Sequence, residues 1–257
     1  MRTFRLTLAY DGTRYAGWQT QAGQLTLQET LEQTLNRITR ESIRVVASGR
    51  TDAGVHALGQ VVSFRSLTQL EPHVLHKALN AELPHDMAVL EISTAGDDFH
   101  AIASAVKKRY RYLLHDGNVR DVFARQYAWH LFTPLAAEAM NRAAQGLVGK
   151  RDFRSFETSG SPRETSIRTV LDLSVARGEG RPHPMFPVTS PEQLIAVEIE
   201  ADGFLYNMVR AIVGTLVEVG QRRRAESWPA EVLAACDRRA AGRTAPAHGL
   251  FLLRVDY

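Results

Sequence analysis

Residues Thr3 to Tyr10 alternate between apolar and polar positions, which predicts a strand. Thr26 and Glu29 stand at capping-box spacing, and Leu27, Leu31, Leu35 and Ile38 follow at helical spacing. Together they predict a helix from about Leu27 to Arg40, with one apolar stripe turned to a sheet. The β-branched run Ile43 to Val46 reads as a short strand, Gln60 to Phe64 as another, and Pro72 opens a short helix. Strands are expected at Met87 to Ile92 and, longer, at Ser104 to Leu114. Thr133 before Pro134 predicts a helix to about Leu147, stopped by Gly149. Strands follow at Val170 to Ala176, Leu194 to Glu200 and Gly249 to Tyr257. The segment Phe204 to Val219 is apolar around most of its circumference and predicts a largely buried helix. Ser227 before Trp228-Pro229 predicts the cap of a last helix. Thr158 to Thr169 reads as a polar, Arg-rich loop, and Gly178 to Pro187 as a Gly- and Pro-rich surface hairpin or loop. Strand, Asp-Gly, aromatic and helix occur in that order at Leu6 to Leu35 and again at Leu194 to Val219, a faint internal echo of two related halves.

A chain of 257 residues forms one large domain or two modest ones, and an apolar fraction of 44% supports a real core. No apolar run approaches the roughly 20 residues that span a bilayer. The N-terminus runs directly into a strand pattern rather than an apolar leader, and Cys236 is the single cysteine. These features point to the cytoplasm and leave no Cys-based metal cluster. The formal net charge is +3. Lysine occurs only at Lys77, Lys107, Lys108 and Lys150, and every other side-chain cation in Lys or Arg form is arginine. Arginine binds phosphate bidentately and stacks on bases, which suits nucleic acid; an arginine-biased codon usage gives the same composition. Clusters at Lys107–Arg111, Arg222–Arg224 and Arg238-Arg239 are candidates for a basic groove.

The candidate chemistry starts at Ser48-Gly49-Arg50-Thr51-Asp52-Ala53-Gly54-Val55-His56-Ala57. Two glycines bracket one cation, Arg50, and one carboxylate, Asp52. That suits a site loop after a strand, or a turn whose Asp bonds its own backbone. In Tyr10-Asp11-Gly12-Thr13-Arg14-Tyr15-Ala16-Gly17-Trp18-Gln19, aromatics beside Arg suit base stacking, or a loop that packs its rings on the core. On the strand to Leu114, Tyr110 and Tyr112 share one face, and Arg109 and Arg111 share the other. One face then suits a base and the other a phosphate backbone. Arg210 within the apolar helix calls for a carboxylate partner, because a lone buried guanidinium is costly. His73 and His76 lie one helical turn apart, a spacing a metal uses, but no third ligand is evident and a surface pair is expected. There is no P-loop, Rossmann fingerprint, His-Glu-x-x-His or Ser nucleophile elbow, so the expected chemistry needs no cofactor.

Several of these stretches resemble the tRNA pseudouridine synthase A family. Gly49-Arg50-Thr51-Asp52-Ala53-Gly54-Val55-His56 matches its signature loop. Tyr10 to Gln19, Asp98-Phe99-His100-Ala101, Lys107 to Tyr112, Asp152 to Phe156 and Gly203 to Gly214 match further segments. Ile102 departs from the pattern, standing where arginine is usual. The resemblance implies an α/β (α+β) fold of two pseudo-two-fold-related halves. Their mostly antiparallel mixed sheets would be continuous across a central cleft, with flanking helices. Residues 1–103 would carry the catalytic Asp loop, and residues 104–257 the Tyr strand and the buried Arg helix. It implies Asp52 as the catalytic carboxylate, Arg210 as its ion-pair partner, Tyr110 against the target base, and Arg50 in the gap left by the nucleotide or on its phosphate. Asp52 attacks C1′, attacks uracil C6 or acts as a base at C2′. It further implies action on uridines 38, 39 and 40 of the tRNA anticodon stem-loop, no metal and no cofactor, and a homodimer. Two other classes fit the same residues less well. A non-catalytic tRNA-binding protein or RNA chaperone has no use for a carboxylate among phosphates. A hydrolase would need a second acid/base or a metal ligand set.

Overall fold

A computed structural model describes residues 1–158, 165–178 and 191–257, in two compact units. One comprises Met1–Lys108 with Phe251–Tyr257, the other Arg109–Leu250. The architecture is mixed α/β, and most strand pairs are antiparallel. The expected hairpin after Gly178 and much of the loop after Thr158 lie outside the described residues.

In the first unit, β1 (Arg2–Tyr10) pairs antiparallel with β3 (His56–Ser66) on one side and β4 (Met87–Ala95) on the other. The short β2 (Val46–Ala47) adds to β3 antiparallel. The last strand, β10 (Leu250–Asp256), runs parallel to β3 through Phe251↔His56 and Leu252↔Ala57. The predicted alternation in β1 buries Phe4, Leu6, Leu8 and Tyr10, with Phe4 stacked on Phe64 at 5.1 Å. Helix α1 (Leu27–Thr39) buries Leu27, Leu31 and Leu35, and α2 (Pro72–Glu82) buries Leu75 and Leu79.

Two local expectations fail in this unit, for related reasons. Thr26 is the N-cap of α1 but its side chain makes no cap bond. The first helical N–H groups are taken instead by loop carbonyls: Leu27 N–H donates to Gly17 O at 3.2 Å and Gln28 N–H to Trp18 O at 3.0 Å. A tertiary cap replaces the local one. The strand expected from Ile43 starts only at Val46. Ile43 N–H donates to Asn36 Oδ1 at 2.7 Å and Val45 N–H to Glu32 Oε1 at 3.0 Å, so α1 side chains hold that backbone.

In the second unit the strand order is β5 (Lys107–Asp116), β9 (Leu194–Ala201), β8 (Ile167–Arg177), β7 (Gly149–Asp152), and β6 (Trp129–Leu131) pairs parallel to β5. Three helices pack together in this unit: α3 (Ala137–Ala144), α4 (Met208–Gly220) and α5 (Trp228–Ala235). Thr133 does not cap α3. Leu135 N–H donates to Asp116 Oδ2 at 2.6 Å and Ala136 N–H to Gly220 O at 2.9 Å, which delays the helix to Ala137. Ser227 precedes α5 without a side-chain cap bond. Helix α4 starts four residues after Phe204, because Asn207 adopts the left-handed conformation at φ 62°.

Candidate active site

The loop that carries Asp52 is held from several sides. Ser48 N–H donates to Val61 O at 2.8 Å, continuing the pairing of β2 with β3. Gln60, wholly buried in β3, donates from Nε2 to Gly49 O at 2.8 Å and accepts the Ser48 hydroxyl at 2.7 Å. Lys108 Nζ donates to the Ser48 carbonyl. The Thr51 hydroxyl bonds the Tyr10 hydroxyl at 2.9 Å, and the Thr51 carbonyl accepts Trp18 N–H at 2.9 Å. Val55 N–H closes a turn on Asp52 O at 3.1 Å. The backbone around Asp52 is therefore fixed by buried and part-buried bonds, while the Asp52 side chain is half-buried and Arg50 is exposed. A carboxylate on a rigid, partly open loop is pre-positioned for chemistry.

The Tyr10 to Gln19 segment is the floor of this loop and not a base-stacking surface. The rings of Tyr10, Tyr15 and Trp18 are 4%, 4% and 2% exposed, so they pack on the core. Two glycines let the segments meet backbone to backbone. A Cβ at Gly12 would lie 2.0 Å from Val55 O, and one at Gly17, where φ is +97°, would lie 2.9 Å from Thr51 O. Burial pushes the Tyr10 hydroxyl up to about 12 against the opposing bonds from Thr51 and Gln60. Tyr15 is also raised, by burial and by its 2.6 Å bond to Asp86.

In the second unit, Tyr110 lies on β5, 8% exposed, with the Phe204 ring edge-on at 5.0 Å. Arg210 occupies the first turn of α4 and is half-buried rather than enclosed. Its Nε donates to Ala245 O at 2.7 Å and its Nη1 to Asn207 Oδ1 at 2.7 Å, which sets the plane of the guanidinium. Ala245 N–H returns a bond to Arg210 O at 3.0 Å. The following residues bind the same strand: the Tyr112 hydroxyl donates to Pro246 O at 2.7 Å. Burial raises Tyr112 well above its ordinary value, although Arg210 and Arg243 oppose the shift. Burial also lowers His248; a bond to the Ala128 backbone opposes this and the Arg210 charge adds to it. Sequence reasoning placed Lys108 in a basic cluster rather than against the Ser48 carbonyl, and it did not single out the stretch Ala245–His248. The latter contributes carbonyl groups, which leave no side-chain signature; the Pro246 and Gly249 punctuation was the one available signal.

The expected basic groove is largely dismantled. Arg109 donates to Asp172, Glu198 and Glu200 at 2.6, 2.7 and 3.2 Å, and Arg111 donates twice to Glu198 at 3.0 and 2.6 Å. Burial pulls Arg109 down, but these carboxylates win and hold it above its ordinary value. The arginine face of β5 is thus an internal ion network and not a phosphate contact. Arg238 binds Gly242 O and the Thr244 hydroxyl, and Arg239 binds Asp237. Arg222–Arg224 remain exposed, beside Arg142 and Glu226 in an open groove of about 590 Å³. Ile102 is 56% exposed. His73 is exposed, and His76 meets Asn80 at 3.3 Å. Among the described residues no group of three or more His, Cys, Asp or Glu gathers as for a metal, and no helix is long and apolar enough to cross a membrane.

A family model described as tRNA pseudouridine synthase matches residues 7–102 and 143–257. The chain belongs to the tRNA pseudouridine synthase family. It is accordingly an isomerase that acts on uridine in tRNA. The tRNA pseudouridine synthase A of Moorella thermoacetica is 46% identical over 259 residues, with both chains covered completely. That of Thermoanaerobacter sp. strain X514 is 41% identical over 257 residues, again across the whole of both chains. An Escherichia coli tRNA pseudouridine synthase A is 42% identical over 252 residues, covering 98% of this chain and 88% of that one. Arg50, Asp52 and Arg210 fall within the matched ranges of the family model. Tyr110 falls between them, in a stretch that the full-length relatives nevertheless align.

Proposed function

We propose that this synthase converts uridine to pseudouridine at positions 38, 39 and 40 of the tRNA anticodon stem-loop, with Asp52 as its one catalytic carboxylate and with no cofactor. The observation that carries this reading is the immobilised Gly49–His56 loop, which leaves Asp52 half-buried in a chain of this family. The reaction is an isomerisation. The N1–C1′ bond of uridine breaks, uracil turns, a C5–C1′ bond forms, and the C5 proton is lost while N1 gains one. A positioned carboxylate opens this sequence by attack at C1′, by attack at uracil C6 or by taking the C2′ proton.

The two units divide the labour in this reading. The first brings Asp52 and Arg50; the second brings Tyr110 and Arg210. Arg210, whose guanidinium plane is set by Ala245 and Asn207, serves as ion-pair partner to Asp52, an assignment that rests on the resemblance to the family. Tyr110, steadied by Phe204, stacks on uracil. The exposed Arg50 takes the place of the extruded nucleotide or holds its phosphate. Extrusion from a stem costs a few kcal/mol, which phosphate contacts offset. The enzyme acts as a homodimer in the cytoplasm; the resemblance to the family is the support for both statements.

Asp52→Asn tests the assignment. The variant is expected to bind tRNA and form no pseudouridine, while the wild-type protein releases no free uracil. An active Asp52→Asn protein, or steady release of uracil by the wild type, would overturn it.

A further inference from the structure

We propose that the guanidinium of Arg243, laid over the ring of Trp129, is a binding point for a phosphate of the tRNA backbone beside Arg210. The inference rests on tRNA as the substrate and adds a contact that the catalytic residues do not supply.

The backbone around Arg243 is fixed on both sides. Gly242 N–H donates to the Thr215 hydroxyl of α4 at 3.0 Å, and Arg238 donates to Gly242 O at 2.9 Å and to the Thr244 hydroxyl at 2.8 Å. Two residues on, Ala245 is bonded to Arg210 through both its N–H and its carbonyl. The side chain of Arg243 projects from this clamp and is exposed. Its guanidinium carbon lies 4.5 Å from the centroid of Trp129, a ring that is itself 8% exposed and anchored in β6 beside β5. Stacking holds the planar group in one orientation and leaves its N–H edge available.

Charge accounting separates Arg243 from its neighbours. Arg109, Arg111, Arg142, Arg177 and Arg239 are each bonded to carboxylates. Among the described residues no carboxylate pairs with Arg243. The charges of Arg243 and Arg210 both oppose the upward shift of the Tyr112 hydroxyl. Two cations carried by one clamped segment, Arg243 within it and Arg210 bonded to its Ala245, suit a polyanion. A bidentate guanidinium matches a phosphodiester oxygen pair.

Steady-state kinetics and equilibrium binding of a tRNA transcript, measured across a potassium chloride series, test the proposal. Arg243→Ala is expected to raise KM by about ten-fold with little change in kcat. The dependence of log affinity on log salt should become shallower by about one. Arg243→Lys is expected to restore the salt slope and only part of the affinity, because an ammonium keeps the charge without the stacked plane. An Arg243→Ala protein with wild-type KM and wild-type salt slope overturns the proposal. A wild-type protein that binds no tRNA and forms no pseudouridine would instead overturn the reading of function, before any variant is compared.

Discussion

Asp52 owes its position to the side chains that grip the peptide around it. Gln60, Thr51, Lys108 and the carbonyl groups they bind hold the peptide on either side of it. Gly17 belongs to this set, since its φ of +97° and the Thr51 carbonyl 2.9 Å from a notional Cβ exclude a side chain. Gly17→Ala is expected to lower stability by about 1–2 kcal/mol through the left-handed conformation alone. It should lower kcat further by displacing the Thr51-Asp52 peptide, so urea unfolding and turnover measured on one preparation should show a larger loss in rate than the stability change implies. Equal and small effects on both would detach Gly17 from the loop. At this scale the sequence offered Arg50 and Asp52 as candidates because opposite charges between glycines stand out. It did not show Gln60, Lys108 or the Ala245 carbonyl, because a neutral amide, a lysine stem and a peptide oxygen carry no marker of where they point.

Elements were legible where hydrophobic period alone decides them, as in β1, α1 and α4, and less so where backbone groups find distant partners. The onset of α1 depends on carbonyls of Gly17 and Trp18, and the onset of α3 on Asp116 and Gly220. No capping rule read from neighbouring residues contains those partners. The arginines of β5 illustrate the same limit for charge. Alternation correctly separated Arg109 and Arg111 from Tyr110 and Tyr112, but the carboxylates that neutralise them lie on β8 and β9. Glu198 is the hub, 4% exposed and bonded to both arginines. Glu198→Ala strips Arg111 of its bonded carboxylate, while Arg109 keeps Asp172 and Glu200, and is expected to destabilise the protein by about 3–5 kcal/mol. Chemical denaturation reads this directly, and a loss below about 1 kcal/mol would show that solvent compensates the pair.

For the molecule as a whole, composition gave only a weak pointer to an anionic partner, and +3 net charge does not by itself predict nucleic-acid binding. Distribution is the stronger signal, and the fold redistributes it: the two arginines of β5 are neutralised, whereas Arg50, Arg222–Arg224 and Arg243 remain on the surface. The family match over both units, with full-length relatives at 41–46% identity, makes the chain a tRNA pseudouridine synthase. The reading of Asp52, Tyr110, Arg50 and Arg210 as one working site requires groups from both units to meet on a single uridine. The most direct test is to map pseudouridine at every position of a tRNA transcript incubated with the wild-type protein or with Asp52→Ala. The account predicts pseudouridine at positions 38, 39 and 40 with the wild type and none with the variant. Pseudouridine formed by Asp52→Ala, or wild-type modification confined to other positions, would contradict it.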